Sequence, residues 1–322
     1  MTEIPSETLV TIFGGSGFLG RHVVRALARA GYRIRVAVRR PDLAGHLQPL
    51  GRVGQIHAVQ ANLRYPASIE AALRDADVAI NLVGVLFERG QQRFSTVQAE
   101  GAGHVARAAA AANARLVHVS ALGANPESPS RYAQSKAAGE AAVHAELPPA
   151  VIFRPSFAFG PEDDFFNRFA SLARFSPFLP LVGGGTIRTQ PVFVGDIAAA
   201  VLKAVDGKAK PGTIYELGGP EVKTFREIME FILATVERKR LLLPVPYGIA
   251  GLMAGVLQFM PKPMLTPDQV RLLRVDNVVS EAAVREGRTL QGLGIEPASI
   301  EAVVPSYLWR FRKTGQFRRR VA

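Results

Sequence analysis

The stretch Thr11-Ile12-Phe13-Gly14-Gly15-Ser16-Gly17-Phe18-Leu19-Gly20, TIFGGSGFLG, is where the reading of this chain turns. A β-like apolar run ends at Phe13, glycines fall at 14, 17 and 20, and a helical pattern opens at Phe18. A loop that closes a strand and opens a helix offers backbone N–H groups and a positive helix end to an anion. Gly14 permits the tight turn, Gly17 lets a pyrophosphate approach with no Cβ in the way, and Gly20 lets the helix pack closely on the strand. Gly15, Ser16, Phe18 and Leu19 complete the cradle. The spacing is GxxGxxG, and a plain tight βα turn is the competing reading. No GxxxxGK[ST] occurs, which argues against P-loop ATP hydrolysis.

Outward from that loop, strand-like runs at 9–13, 34–38, 56–60, 78–83, 116–120 and 151–154 alternate with helical patterns at 18–30, 67–73, 94–112 and 131–145. This alternation means βαβ units, and strands apolar on both faces mean a sheet covered by helices on both sides. The fold class is therefore α/β, a doubly wound parallel sheet of the Rossmann type. Beyond Arg154 proline, phenylalanine and glycine become dense. A strand is expected at 190–194, a helix at 196–205 capped by Asp196, a strand at 213–217 and a helix at 224–236. We expect residues 1–154 to form the dinucleotide-binding domain, with 190–218 returning to it. Residues 155–189 and 219–322 would form a smaller C-terminal lobe.

The second strand ends in VAVRRP, residues 36–41. An NAD site places an acid there for the ribose hydroxyls; this chain places Arg39 and Arg40, and a guanidinium suits a 2′-phosphate. The expected cofactor is NADP(H) in preference to NAD(H), held mainly by Arg39.

Composition narrows the classes. There is no cysteine, which excludes disulfides, thiolate metal sites and cysteine nucleophiles and fits a reducing compartment. No two of the six histidines are three or four apart, so a histidine metal site has no support. The start, MTEIPSETLV, lacks the basic and apolar regions of a signal peptide, giving an expectation of a cytoplasmic chain. The formal net charge is +12, and after Glu301 there is no acid while Arg310, Arg312, Lys313, Arg318, Arg319 and Arg320 follow. That tail reads as a site for an acidic partner, anionic lipid or nucleic acid, or as a solvated terminus. Nucleic acid is disfavoured because only Trp309, Phe311 and Phe317 lie near the charges.

The motifs GGSGFLG, NLVG (81–84), VHVSALGA (117–124), RYAQSKAAGE (131–140), FRPS (153–156) and QPVFVGDIAAAV (190–201) resemble the short-chain dehydrogenase/reductase superfamily, in its extended and atypical branches. The Phe-rich RPSFAFGPEDDFFNRFASLARF and the proline-flanked apolar block near residue 250 are most similar to the nucleotide-binding accessory subunits of respiratory complex I. The resemblance implies a cofactor site that also includes Asn62, Leu82, Val83, Gly84 and Pro155. It further implies a triad of Ser120, Tyr132 and Lys136, in which Ser120 positions a carbonyl, and Lys136 holds the ribose and lowers the phenol's pKa. Two departures from the family pattern are Gln98 where asparagine is usual and Asn62 where an acid is usual. They leave open a scaffold that binds nucleotide without turnover.

Leu241–Pro261 carries no charge. Prolines limit a straight helix to about 247–260, roughly 21 Å at ~1.5 Å per residue, short of a ~30 Å hydrocarbon core. No membrane span is expected. Gly248, Gly251 and Gly255 would allow close helix contact. Together these features imply an NADP(H)-binding accessory or assembly subunit of complex I or another membrane-associated complex. It would be peripheral on the inner face of the cytoplasmic membrane, with anionic lipid contact through the C-terminal lobe and tail. The alternative is an NADPH-dependent short-chain reductase or epimerase acting on a small carbonyl or sugar-type substrate.

Overall fold

The inner strands of the first sheet follow from short runs buried on both faces, while the edge strand Ile56–Gln60 mixes buried and exposed residues. The computed structural model describes residues 5–261 and 263–315, and they divide into two compact units. The first runs to Pro155 and takes in Val194–Leu217 and Val279–Glu296; the second holds Ser156–Phe193, Gly218–Val278 and the segment from Pro297.

In the first unit, β1 (Leu9–Phe13), β2 (Arg33–Val38), β3 (Ile56–Gln60), β4 (Val78–Asn81), β5 (Arg115–Val119), β6 (Val151–Pro155) and a last strand, Ile214–Leu217, build one sheet. Their order is Ile214–Leu217, β6, β5, β4, β1, β2, β3, with every pair parallel. All five residues of β1 are buried, and Ile12 lies in register with Val36 on one side and Ile80 on the other. The chain moves outward from β1 to β3 and then returns to lay β4 on the other side of β1. This reversal makes the sheet doubly wound and opens a crevice beyond the ends of β1 and β4.

Helices α1 (Phe18–Arg29), α2 (Pro66–Leu73), α3 (Gly101–Ala111) and α4 (Arg131–Glu146) flank the sheet, and α1 packs on the helix Val194–Val205. Phe13, Ala79, Leu116 and Ile152 share a core with Leu73, Val105, Ala109 and Val143 of α2 to α4. Small residues set how closely α3 and α4 approach: a Cβ on Gly139 would lie 2.4 Å from the Gln98 carbonyl oxygen. The helix expected over 94–112 begins as a π-helical turn, Ser95–Glu100, before α3. Asp196 is not a cap, because its helix already starts at Val194; it sits in the first turn, where its charge favours the helix dipole.

Residues 279–296, grouped with the lobe from sequence alone, join the first unit through its edge strand. Glu216 N–H donates to Arg288 O (2.9 Å), Arg288 Nη1 donates to Ile214 O (2.8 Å), and Ser280 N–H donates to Glu216 Oε2 (2.7 Å).

The second unit centres on phenylalanine. Phe159, Phe166 and Phe225 are buried with Leu179, Ile228 and Leu308, and the rings of Phe157, Phe165 and Phe169 pack against them. The strand expected over 190–194 is instead two short pieces, Arg188–Thr189 and Val192–Phe193, separated at Pro191, which has no N–H to donate. The helix Phe225–Thr235 opens on a capping box between Thr224 and Glu227. The apolar block is part strand: Leu241–Val245 pairs in parallel with Phe178–Val182, and only Tyr247–Leu257 is helical. A Cβ on Gly248, Gly251 or Gly255 would meet no atom of another element within 4 Å; Ala250 and Ala254 are the small residues that pack.

These contacts give opposite signs for two glycine substitutions. Gly139→Ala should destabilise the chain by roughly 1–3 kcal/mol, since its methyl meets backbone that cannot yield. Gly251→Ala, in open helix, should stabilise by about 0.5–1 kcal/mol. Thermal unfolding midpoints of the two variants check both.

Candidate functional site

The crevice holds a cavity of about 260 Å³. Gly14, Ser16 and Gly17 line it after β1, Arg39 after β2, Asn62 and Arg64 after β3, and Leu82, Val83 and Gly84 after β4. Four consecutive positions in the sheet thus contribute from their carboxyl ends.

The loop itself is backbone on backbone. Gly14 has φ +82° and its N–H donates to Ala37 O (3.2 Å), while Gly17 N–H donates back to Gly14 O (3.1 Å). A Cβ on Gly20 would lie 2.3 Å from Gly14 O and 2.6 Å from Gly15 Cα. Gly20 therefore lets α1 pack on the loop, not on the strand as its spacing suggested; Gly15 is the residue pressed against the β2 side chain Val36. No side chain caps α1 and no acid stands in its first turn, so the opening N–H groups at Phe18 and Leu19 stay available to an anion.

Arginine alone supplies charge to the cavity wall: Arg39 and Arg64 line it, and no carboxylate does. Arg40 turns away to Asp42, donating at 3.0 and 2.7 Å, and this hydrogen bond holds the exposed Asp42 carboxyl below its usual range. The adjacent pair Arg39 and Arg40 is thereby split, and Arg64 is the second cation of the site. Asn62 Oδ1 accepts Arg64 N–H (3.2 Å), which fixes the turn carrying both side chains.

Beside Gly84 lies a buried polar group. Ser130 caps α4 by accepting Ala133 N–H, which brings Tyr132 and Lys136, one turn apart, onto one face. Lys136 Nζ donates to Val119 O at 3.3 Å, next to Ser120. A Cβ on Gly84 would lie 3.3 Å from Lys136 Nζ and 3.4 Å from Gln98 Oε1, so both polar groups converge where glycine leaves space. Asn81 Oδ1 accepts Val83 N–H, so its Nδ2 donates to His118 Nδ1 (3.2 Å) and the proton of His118 stands on Nε2. Among the described residues, Ser120 Oγ, Gln98 Oε1 and His118 Nε2 are buried without a partner, an arrangement that polar ligand groups commonly explain.

Burial governs protonation here. It pushes the Lys136 ammonium down from 10.5 to about 8, with Glu140 working against it, and the His118 imidazole down to about 3, so the histidine is neutral. The Tyr132 phenol rises to about 12 through burial. The expected depression of the phenol by lysine is not realised: Nζ lies 6.0 Å from the ring centroid, and burial governs the shift. Tyr132 is held as an acid, not as a phenolate.

Of the residues expected at the site, Gly14, Ser16, Gly17, Arg39, Asn62, Leu82, Val83 and Gly84 line the cavity. Gly15 and Gly20 shape the loop from behind, and Lys136 stands behind Gly84. Ser120, Tyr132 and Pro155 lie outside the cavity wall; Pro155 O accepts Leu122 N–H (2.9 Å). Arg64 and His118 escaped the sequence reading. Arg64, two residues past Asn62, was visible as the cation following the third strand.

The NAD dependent epimerase/dehydratase family matches residues 10–218. The chain belongs to this family. Within the NAD dependent epimerase/dehydratase family, similarity extends over nearly the whole chain to an Arabidopsis thaliana protein named NADH dehydrogenase (ubiquinone) 1 alpha subcomplex subunit 9, mitochondrial. The two are 36% identical over 96% of this chain and 79% of the relative. A ceramide reductase from Caulobacter vibrioides is 40% identical over 60% of each chain. Among solved structures, an NADPH-dependent quinone oxidoreductase from Escherichia coli, complexed with NADPH, superposes with a TM-score of 0.74 at 19% identity, over 93% of this chain and 99% of that one. At that identity the likeness is one of fold.

The buried lysine gives a pH dependence of known sign. Its folded pKa lies below the unfolded value, so between about pH 8 and 10 the unfolded chain holds a proton that the folded chain has released, and stability rises with pH. Below pH 8 that gain is absent. Lys136→Met should remove the rise; chemical unfolding of both proteins at pH 7.5 and 9.5, taken as a difference, measures it.

Proposed function

We propose that the chain is an NADP(H)-holding accessory subunit of a complex I-type assembly, at the inner face of the cytoplasmic membrane, with the nucleotide as a structural ligand. The observation that carries this reading is the acid-free cavity with two guanidinium groups, set against an uncapped helix start. A pyrophosphate suits the helix end and the glycine backbone. The ribose 2′-phosphate suits Arg39, with Arg64 beside it, where an NAD site would carry a carboxylate. The relative bearing the complex I subunit name supports the assembly part, since the likeness spans both units. Lipid contact through the second unit belongs to the same reading; of the basic tail, Arg318, Arg319 and Arg320 lie outside the described residues.

A bound nucleotide adds stability as RT ln(1 + [L]/Kd) without any turnover. It would also answer the buried, unpaired Gln98 Oε1 beside Gly84.

The second reading is an NADPH-dependent reductase using Ser120, Tyr132 and Lys136, favoured by the protonated phenol, which can act as a general acid.

Titration followed by thermal shift tests the first reading. NADPH should bind more tightly than NADH. Arg39→Ala should weaken NADPH by about tenfold or more, from the loss of a charge-assisted hydrogen bond worth ~1.5–3 kcal/mol, and change NADH little. Equal affinities for the two nucleotides would remove the NADP(H) assignment. Tyr132→Phe should leave both nucleotide binding and co-purification with the membrane complex unchanged; abolished turnover of a carbonyl substrate by that variant would favour the reductase instead.

A further inference from the structure

In the second unit, the helix Tyr247–Leu257 is packed the wrong way round for a core. Its small residues Ala250 and Ala254 face in, against Val182, Val245 and Val270. Its large ones face out: Leu252 is 78% exposed and Val256 74%, with Ile249 and Met253 on the same arc. Phe259, 85% exposed, and Met260 continue the patch past the helix end. Single exposed apolar side chains are ordinary, but a contiguous set on one helix face marks an interaction surface.

The charges around this face choose the partner. From Arg238 to Val275 the sequence has six basic residues (Arg238, Lys239, Arg240, Lys262, Arg271, Arg274) and one acid, Asp268. Arg274 stands over the Tyr247 ring, 5.1 Å from its centroid, at the start of the helix. Arg168 donates to Pro263 O (3.2 Å) just beyond its end. Asp268 is taken up by Arg271 at 3.5 Å. Guanidinium groups thus stand near both ends of the apolar arc, and cations outnumber acids there even though Arg168 has Asp164 at 3.9 Å and Arg271 has Asp268 at 3.5 Å. At ~1.5 Å per residue its eleven residues span about 16 Å, and no helix among the described residues is long and apolar enough to cross a membrane.

We infer that this face seats the chain on an anionic bilayer surface, with Ile249, Leu252, Met253, Val256 and Phe259 entering the headgroup–acyl boundary and Arg168, Arg271 and Arg274 meeting lipid phosphates. The helix lies in the interface plane, as an apolar face with a cationic border does. The inference rests on the proposed membrane placement and names the surface that achieves it.

Flotation of the full chain with vesicles tests it. The protein should float with phosphatidylcholine vesicles containing phosphatidylglycerol, float far less with phosphatidylcholine alone, and release as salt is raised from 0.05 to 0.5 M. Leu252→Glu with Val256→Glu, both at exposed positions and so expected to keep the wild-type melting temperature, should abolish flotation. Arg271→Gln with Arg274→Gln should weaken it about tenfold or more, near fivefold per cation. Flotation that survives the glutamates, is indifferent to lipid charge, or is absent in the wild type overturns the inference. So does a wild-type dimer that the glutamates convert to monomer, which would make the face a contact between copies. NADPH titration of the same variants separates this result from the nucleotide reading: loss of vesicles with NADPH retained concerns the face alone, while a wild type that floats but binds no NADPH sinks only the nucleotide assignment.

Discussion

Backbone must touch backbone where α1 meets the loop after β1, and the site depends on that contact. Gly20 sits where any Cβ would strike the Gly14 carbonyl and the Gly15 Cα, and Gly15 sits hard against Val36. Because these residues carry no side chains, the loop closes on itself through the Gly17-to-Gly14 hydrogen bond and the first turn of α1 is aimed at the crevice. The field of the helix and its uncapped N–H groups then act on whatever enters. A methyl group at either position would displace the loop and the charge environment together.

The same economy holds at Gly84. The missing side chain leaves room beside Lys136 Nζ and Gln98 Oε1, and among the described residues Gln98 Oε1 is buried without a partner. Burial has already set their protonation, with a lysine near 8, a neutral histidine and a phenol that keeps its proton. Such a group can hold a ribose or pass a proton. Both readings of the chain start from one arrangement and part on whether a second molecule arrives.

The two units divide the physical tasks. The first gathers the glycine-loop backbone and two guanidinium groups, with no carboxylate in the cavity wall, at the ends of four strands. The second buries a phenylalanine-rich core and yet leaves a long apolar face uncovered. Leaving large side chains outside while alanines face inward costs stability in water, and such a face gains by meeting an apolar phase.

Sequence alone determined the wound sheet and the glycine cradle, because both rest on local signals: apolar runs of strand length, their alternation with helical patterns, and glycine spacing at a strand end. It also placed Arg39 on the cavity, since that residue directly follows the end of β2, while Asn62 and Gly84 came from the family resemblance of their motifs. Tertiary structure decided what depends on contacts distant in sequence. It separated Arg40 from Arg39 by giving it Asp42, brought Arg64 in as the second cation, and raised the Tyr132 phenol by burial where the YxxxK spacing alone had suggested the opposite. It turned Leu241–Val245 of the apolar block into a strand and Tyr247–Leu257 into a helix whose large side chains face outward. Spacing reports which residues share an element, whereas solvation and charge partners are fixed only when elements meet.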